Sequence, residues 1–296
     1  MASRHRTIEA AAEGPAQQVA HRTGVERRTR FLPAATCEVL PGIAWGSLDR
    51  SLTPAFWAWL AWQAEQDETA LPRRLGRDFS EQVAASLLGA FGMPSEVGWA
   101  AFVRIRGLGL VRAGIESDDI AAALRSPLSV GLRLVRYRFA HQRARYLAQA
   151  LSLLPSIDLE RDPFLVRNAL IALPGIGPKT ASWIVRDWYG TDSVAILDVH
   201  VVRACVMLGI FPRGADPARD YFGLERRFIE FARAIGARPS VLDKVMWRTM
   251  KSVSPLLASV RPRHAASEML FDDDILHAPA APAARERRPV AGVGQV

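Results

Sequence analysis

Cysteine is almost missing from this chain of 296 residues, which has it only at Cys37 and Cys205. No disulfide framework and no four-cysteine metal site can be built from one such chain, and a reducing, cytoplasmic setting is the default. Long apolar runs are missing too, so no segment reads as a signal peptide or a membrane span. Polar–apolar alternation never continues far enough for a large sheet, and no internal repeat appears. What is present is a globular composition, 49% hydrophobic, with a formal net charge of +8. That balance suits a polyanionic partner, although ordinary solubility would leave the same mark.

The ends and the body differ. Residues 1–32 begin in a stretch rich in Ala, Arg, Gln and Glu without clear periodicity, and residues 278–296 are rich in Ala, Pro and Arg. Both are expected to be mobile tails around a helical body at 33–277. Thr53 then Pro54 reads as a cap and first turn for a segment rich in tryptophan, whose rings suit a core. A polar loop with Pro72, Arg73 and Arg74 separates it from an amphipathic helix over 79–91, which Gly92 and Pro94 stop. That loop suits a nucleic-acid groove or simply solvent. Helices are predicted near 95–106, 117–125, 127–136 and 139–154. The region 127–145 carries Arg133, Arg136, Arg138, Arg143 and Arg145, as phosphate ligands or a wet helix face. A short strand pair around 34–44 is compatible with the pattern. Two more helices are predicted near 217–235 and 240–252.

The densest information lies in Leu173-Pro174-Gly175-Ile176-Gly177-Pro178-Lys179-Thr180-Ala181, followed by Leu197-Asp198-Val199-His200. Asp162 and Pro163 start a helix that Pro174 ends, and Pro178 starts another that runs to Gly190. Gly175 and Gly177 let backbone N–H groups approach a phosphate, and the partial positive charge of the following helix adds to that grip. Lys179 sits in the first turn of that helix. A free lysine is neutral in only roughly one copy in two thousand at pH 7. A helix N-terminus and burial both disfavour the ammonium. Asp198 follows 19 residues later as an N-cap, and helix amides keep such a carboxylate ionised. An amine and a carboxylate are the groups needed to attack a sugar carbon and to stabilise the positive charge that grows there. Without Asp198, the lysine would read as a simple phosphate ligand.

These residues resemble the helix-hairpin-helix, Gly/Pro-rich loop and aspartate superfamily of DNA glycosylases, and within it the 8-oxoguanine DNA glycosylase branch. The sharp likeness covers about 162–205. It implies a mostly α, two-lobed helical DNA glycosylase fold built around a helix-hairpin-helix motif. It implies that Lys179 attacks C1′ and forms a Schiff base, while Asp198 supports the sugar cation and proton transfer. His200 would contact a phosphate beside the lesion, the alternative being a plain helix-start histidine. Asp243 and Trp247, four residues apart on one helix face, would recognise the extruded base, the alternative being a surface Asp and a core Trp. Asp243 stands where a eukaryotic-type pattern has glutamine, and Trp183 stands where some relatives have cysteine. The endonuclease III branch carries an iron–sulfur cluster near its C-terminus, and no cysteine follows Cys205 to hold one.

The expected partner is double-stranded DNA containing a damaged or modified base, bound by a cytoplasmic, nucleoid-associated monomer. The chemistry requires no metal or organic cofactor, and a monovalent cation at the hairpin is compatible with it. The expected activity is excision of 8-oxoguanine with associated strand nicking. The alternatives are excision of another base, including modified cytosines of phage DNA, and a noncatalytic hairpin protein that only binds DNA.

Overall fold

The computed structural model describes residues 14–23, 26–67, 71–90 and 92–259. Among them the chain is mostly helical, with three two-stranded ribbons: β1 (Gln17–Thr23) with β2 (Glu26–Leu32), β3 (Glu38–Leu40) with β4 (Ile43–Ala44), and β5 (Leu128–Val130) with β6 (Arg133–Val135). The helices are α1 (Pro54–Gln66), α2 (Phe79–Leu88), α3 (Ser95–Gly107), α4 (Ser117–Arg125), α5 (Ala140–Leu153), α6 (Pro163–Ile171), α7 (Pro178–Tyr189), α8 (Val199–Met207), α9 (Pro217–Ala234) and α10 (Pro239–Ser259). The capping signals act as their chemistry dictates. Thr53 accepts from Phe56 N–H, Asp162 from Phe164 N–H, and Gly190 closes α7 in the left-handed conformation.

Two hydrophobic cores form. The first gathers α2 to α7 around Leu87, Phe102, Ile120, Leu147 and Ile184. The second gathers β1, β2, α1, α8, α9 and α10 around Trp57, Phe211, Phe228 and Met246. The chain passes from one to the other between Val194 and Ala195, both fully buried. That crossing lies just before Asp198.

Two predicted elements are corrected. Residues 17–32 are a ribbon rather than part of a tail. Val19 and Leu32 are buried on its inner face, and His21 on that face packs edge-on against Trp62 and meets Asp67 at 3.1 Å. Inward-facing His21 and Arg30 interrupt the apolar alternation, so the strand period is hidden. The expected tails at 1–13 and 278–296 lie outside the described residues. Residues 127–136 form the β5–β6 hairpin rather than a helix. Gly131, at φ +57°, makes its turn, and Arg104 holds its entry through the carbonyls of Ser126 and Pro127, both at 2.7 Å. Arg133, Arg136, Arg138 and Arg145 are exposed, whereas Arg143 is buried in α5. Arg74 is tied to α7 through the Trp188 carbonyl at 3.0 Å and lies 3.9 Å over that indole.

The ribbon gives a direct test. Leu32→Ala is expected to lower stability in urea unfolding by about 2–4 kcal/mol, the usual cost of emptying a packed leucine site. A mobile tail would give no change.

Candidate active site

The turn between α6 and α7 is fixed from below. Leu173 and Ile176 are buried, and the Ile176 N–H donates to the Leu173 carbonyl at 3.2 Å. Gly175 has φ +77°, and a β-carbon there would lie 2.4 Å from the Tyr146 ring of α5. Gly177 differs. Its φ is −87°, it caps α7 without any side-chain bond, and a β-carbon there would meet no atom within 4 Å. Gly175 is therefore required by the protein itself, whereas the space beside Gly177 is open.

Lys179 is half-buried in the first turn of α7. Burial pulls its pKa below the ordinary lysine value, and the nearby Asp198 charge pushes it back up. Asp198 caps α8, its Oδ1 accepting from the N–H groups of His200 and Val201, each at 2.9 Å. His200 is half-buried. Burial lowers its pKa and Asp198 opposes that, while Arg203, Lys251 and Lys179 add further lowering. Lys179, Asp198 and His200 thus share one electrostatic neighbourhood, although two of them belong to different helices. Lys251 completes it. Its ammonium lies 5.0 Å over the Trp247 ring and 3.3 Å from the Ser95 hydroxyl of α3.

Trp247 is half-buried on α10. Asp243, one turn earlier, is only 1% exposed, so it is not a surface residue. Its Oδ1 accepts from Arg186 Nη1, and its Oδ2 accepts from the Ile196 N–H at 2.9 Å. Burial pushes the Asp243 carboxyl up against the pull of Arg186, whose guanidinium also bonds Asp187 at 2.9 Å. Trp183 donates its indole N–H to the same Asp187 at 2.8 Å.

A second buried cluster stands beside the first. Glu225 of α9 accepts from Arg167 of α6, from the Ser182 hydroxyl of α7 at 3.2 Å, and from the Ala195 N–H at 3.0 Å. Tyr221 donates its hydroxyl to the Ala195 carbonyl at 2.7 Å and accepts from the Leu197 N–H at 3.4 Å. None of Arg167, Ser182, Arg186, Tyr221 or Glu225 was singled out by motif. Their signal was a charge on an apolar stripe: Glu225 lies between Tyr221 and Phe228 on the buried face of α9. Another signal is compositional. Lys179, Lys244 and Lys251 are the only lysines among 38 basic residues, so a lysine here marks a place where arginine has not been substituted.

Comparison with known proteins places this geometry. The profile of the 8-oxoguanine DNA glycosylase family, described by its helix-hairpin-helix, matches residues 107–237. The structure of the 8-oxoguanine DNA glycosylase of Thermotoga maritima is similar, with a TM-score of 0.52, 26% identity, and coverage of 67% of this chain and 95% of that one. The chain is thus similar to the helix-hairpin-helix DNA glycosylases, and over residues 107–237 to their 8-oxoguanine DNA glycosylase family. The Methanocaldococcus jannaschii 8-oxoguanine DNA glycosylase shares the fold at 20% identity and a TM-score of 0.51, over 67% of this chain and 94% of that one. The 8-oxoguanine DNA glycosylase/AP lyase of Thermoplasma volcanium is 29% identical over 120 residues, 39% of this chain and 58% of that relative. The matched region thus spans little more than half of that curated glycosylase. Among the described residues no His, Cys, Asp or Glu cluster is arranged to hold a metal, and no helix is long and apolar enough to cross a membrane.

The two hairpin glycines should separate in a stability measurement. Gly175→Ala is expected to cost about 2–4 kcal/mol, from a left-handed φ plus the clash with Tyr146. Gly177→Ala should cost no more than about 1 kcal/mol, as a weaker N-cap. Equal losses in thermal unfolding would overturn the distinction.

Proposed function

We propose that this protein is a DNA glycosylase with AP lyase activity, acting on 8-oxoguanine in duplex DNA. The observation that carries this is the half-buried Lys179 amine at the start of α7, coupled to the Asp198 carboxylate at the start of α8. The neutral amine attacks C1′ of the extruded nucleotide. A C1′–N bond forms as the glycosidic bond breaks, and the base leaves with that electron pair and takes up a proton. The amine's proton is lost, the sugar ring opens, and a Schiff base to Lys179 results. Asp198, oriented by its bonds to two helix amides, stabilises the positive charge on the sugar and accepts protons.

The surroundings suit a polyanion. The open space beside Gly177 admits a backbone phosphate against the α7 N-terminus, and His200, in the electrostatic neighbourhood of Lys179, offers a further donor. Arg145 borders the same surface hollow as Pro174, and Arg133, Arg136 and Arg138 are exposed in a stretch, 127–139, that has no acidic residue. Trp247 supplies an aromatic surface for stacking on the extruded base. Because both oxygens of Asp243 are committed inside the protein, the polar contacts that choose the base come from elsewhere, and a modified cytosine is the rival substrate.

Borohydride trapping on duplexes that each contain one altered base tests this. A covalent adduct and base release are expected with 8-oxoguanine, and Lys179→Gln should abolish the adduct. Release and trapping on a modified cytosine alone would transfer the activity to the rival, and no release on any base would leave a DNA-binding protein. Gly177→Ala should weaken duplex binding about tenfold. The pH dependence has a definite sign. The amine reacts unprotonated, so the single-turnover rate should rise with pH to a midpoint below the ordinary lysine value of 10.5. Asp198→Asn removes the charge that retains the proton. Its midpoint should therefore fall further, while the plateau rate drops about a hundredfold.

A further inference from the structure

Lys179 and Asp198 sit on opposite sides of the crossing between the two cores, and no helix or strand continues from one to the other. The segment Val194–Leu197 that leads into Asp198 is neither helical nor part of a sheet. Its three consecutive N–H groups, of Ala195, Ile196 and Leu197, are all taken by side chains: Glu225 Oε1, Asp243 Oδ2 and the Tyr221 hydroxyl. Two of these acceptor side chains are also bonded to α7, the helix that begins with Lys179, Glu225 through the same Oε1 and Asp243 through its other oxygen. Ser182 holds Glu225, and Arg186 holds Asp243. Ser182 and Arg186 are three and seven residues beyond Lys179, on one face of that helix. The kink in α9 at Asp220 restarts the helix so that Tyr221 faces the segment and closes it on the carbonyl side as well.

The geometry points to Tyr221, Glu225 and Asp243 as positioning residues that set the separation of the Lys179 amine and the Asp198 carboxylate through two buried struts from α7. This rests on the glycosylase reading, but it assigns to buried residues a share in the reaction. It also gives Asp243 a role different from base recognition. A cluster serving only stability would hold the cores together without tuning the pair. A positioning cluster must change the field that Asp198 exerts on Lys179 when it is loosened.

Scarcity of lysine makes that field measurable without substrate. With Lys179, Lys244 and Lys251 as the only lysines, isotope-labelled lysine gives one side-chain resonance each, assigned by single substitution. The charged group acting directly on Lys179 is Asp198; His200 on α8 feels Lys179 and Asp198 together with Arg203 and with Lys251 from α10. In the intact full chain, Tyr221→Phe removes both hydroxyl bonds at nearly constant volume, and Asp243→Asn keeps an acceptor for Ile196 while breaking the link to Arg186. In each, the Lys179 titration should move to lower pH, part of the way to its position in Asp198→Asn, with the Lys244 and Lys251 resonances serving as internal references. Base release on the lesion duplex should slow about tenfold with duplex affinity unchanged. A Lys179 titration that coincides with wild type in a folded Tyr221→Phe protein would overturn the proposal, even if Asp243→Asn fails to fold. Absence of both base release and trapping by the wild type would instead sink the glycosylase reading, and the titration would still report on the struts.

Discussion

A stretch of backbone with no ladder to join must find acceptors for its amides or remain open to water. At Ala195, Ile196 and Leu197 the chain crosses from one core to the other in a buried, irregular conformation, and side-chain oxygens from α9 and α10 accept all three N–H groups. Two of those oxygens belong to carboxylates in the dry interior, and each is offset by an arginine from the hairpin helices, Arg167 or Arg186. Taking one partner away leaves a buried charge uncompensated, at a cost of about 3–5 kcal/mol. Apolar residues of equal volume would repack the cores as well or better, but they could not accept from three amides in succession. The charges are thus tied to the irregular segment, and the segment is what brings Asp198 to its place.

The two cores divide the work. Ala181, just after Lys179, is buried in the first core, and Val201 and Val202, just after Asp198, are buried in the second. Each ionisable group projects from the first turn of a helix whose next turn is anchored in its own core. A lysine in this place is pulled two ways: burial and the helix end expel the proton, and the carboxylate across the junction retains it. The balance depends on a distance that neither core fixes alone.

Sequence reasoning reached the parts where chemistry is local. The caps at Thr53, Asp162 and Asp198, the glycine at the end of α7 and the hairpin turn follow from residue types whose side chains or φ preferences act within four residues. It missed parts whose reasons lie across the fold. The ribbon over 17–32 gains its stability from Trp62, Asp67 and the inner core, none of which is near in sequence. The β5–β6 hairpin reads helical until Pro127 and Gly131 are weighed against a run alternating Leu128, Val130, Leu132 and Leu134. Asp243 was placed beside Trp247 by helical spacing, which fixes a face but not what that face meets. Its partners, Arg186 and the Ile196 N–H, are 57 and 47 residues away.

The preference for arginine sharpens the meaning of Lys179. Arginine binds phosphates and carboxylates at least as well as lysine and keeps its proton in any protein environment, so a basic surface can be built from it almost alone. Of 38 basic residues all but Lys179, Lys244 and Lys251 are arginine. What arginine cannot supply is an uncharged nitrogen with a lone pair near neutral pH. Burial lowers the pKa of both Lys179 and Lys244, but only at Lys179 is the opposing charge a carboxylate held at the start of another helix. Lys244 donates to the Leu71 carbonyl and is crowded by Arg186, Arg248 and Arg73, an arrangement that restrains a side chain. At Lys179 burial and the Asp198 carboxylate pull a proton in opposite directions, and an amine whose pKa is lowered more readily supplies the electron pair that makes a bond.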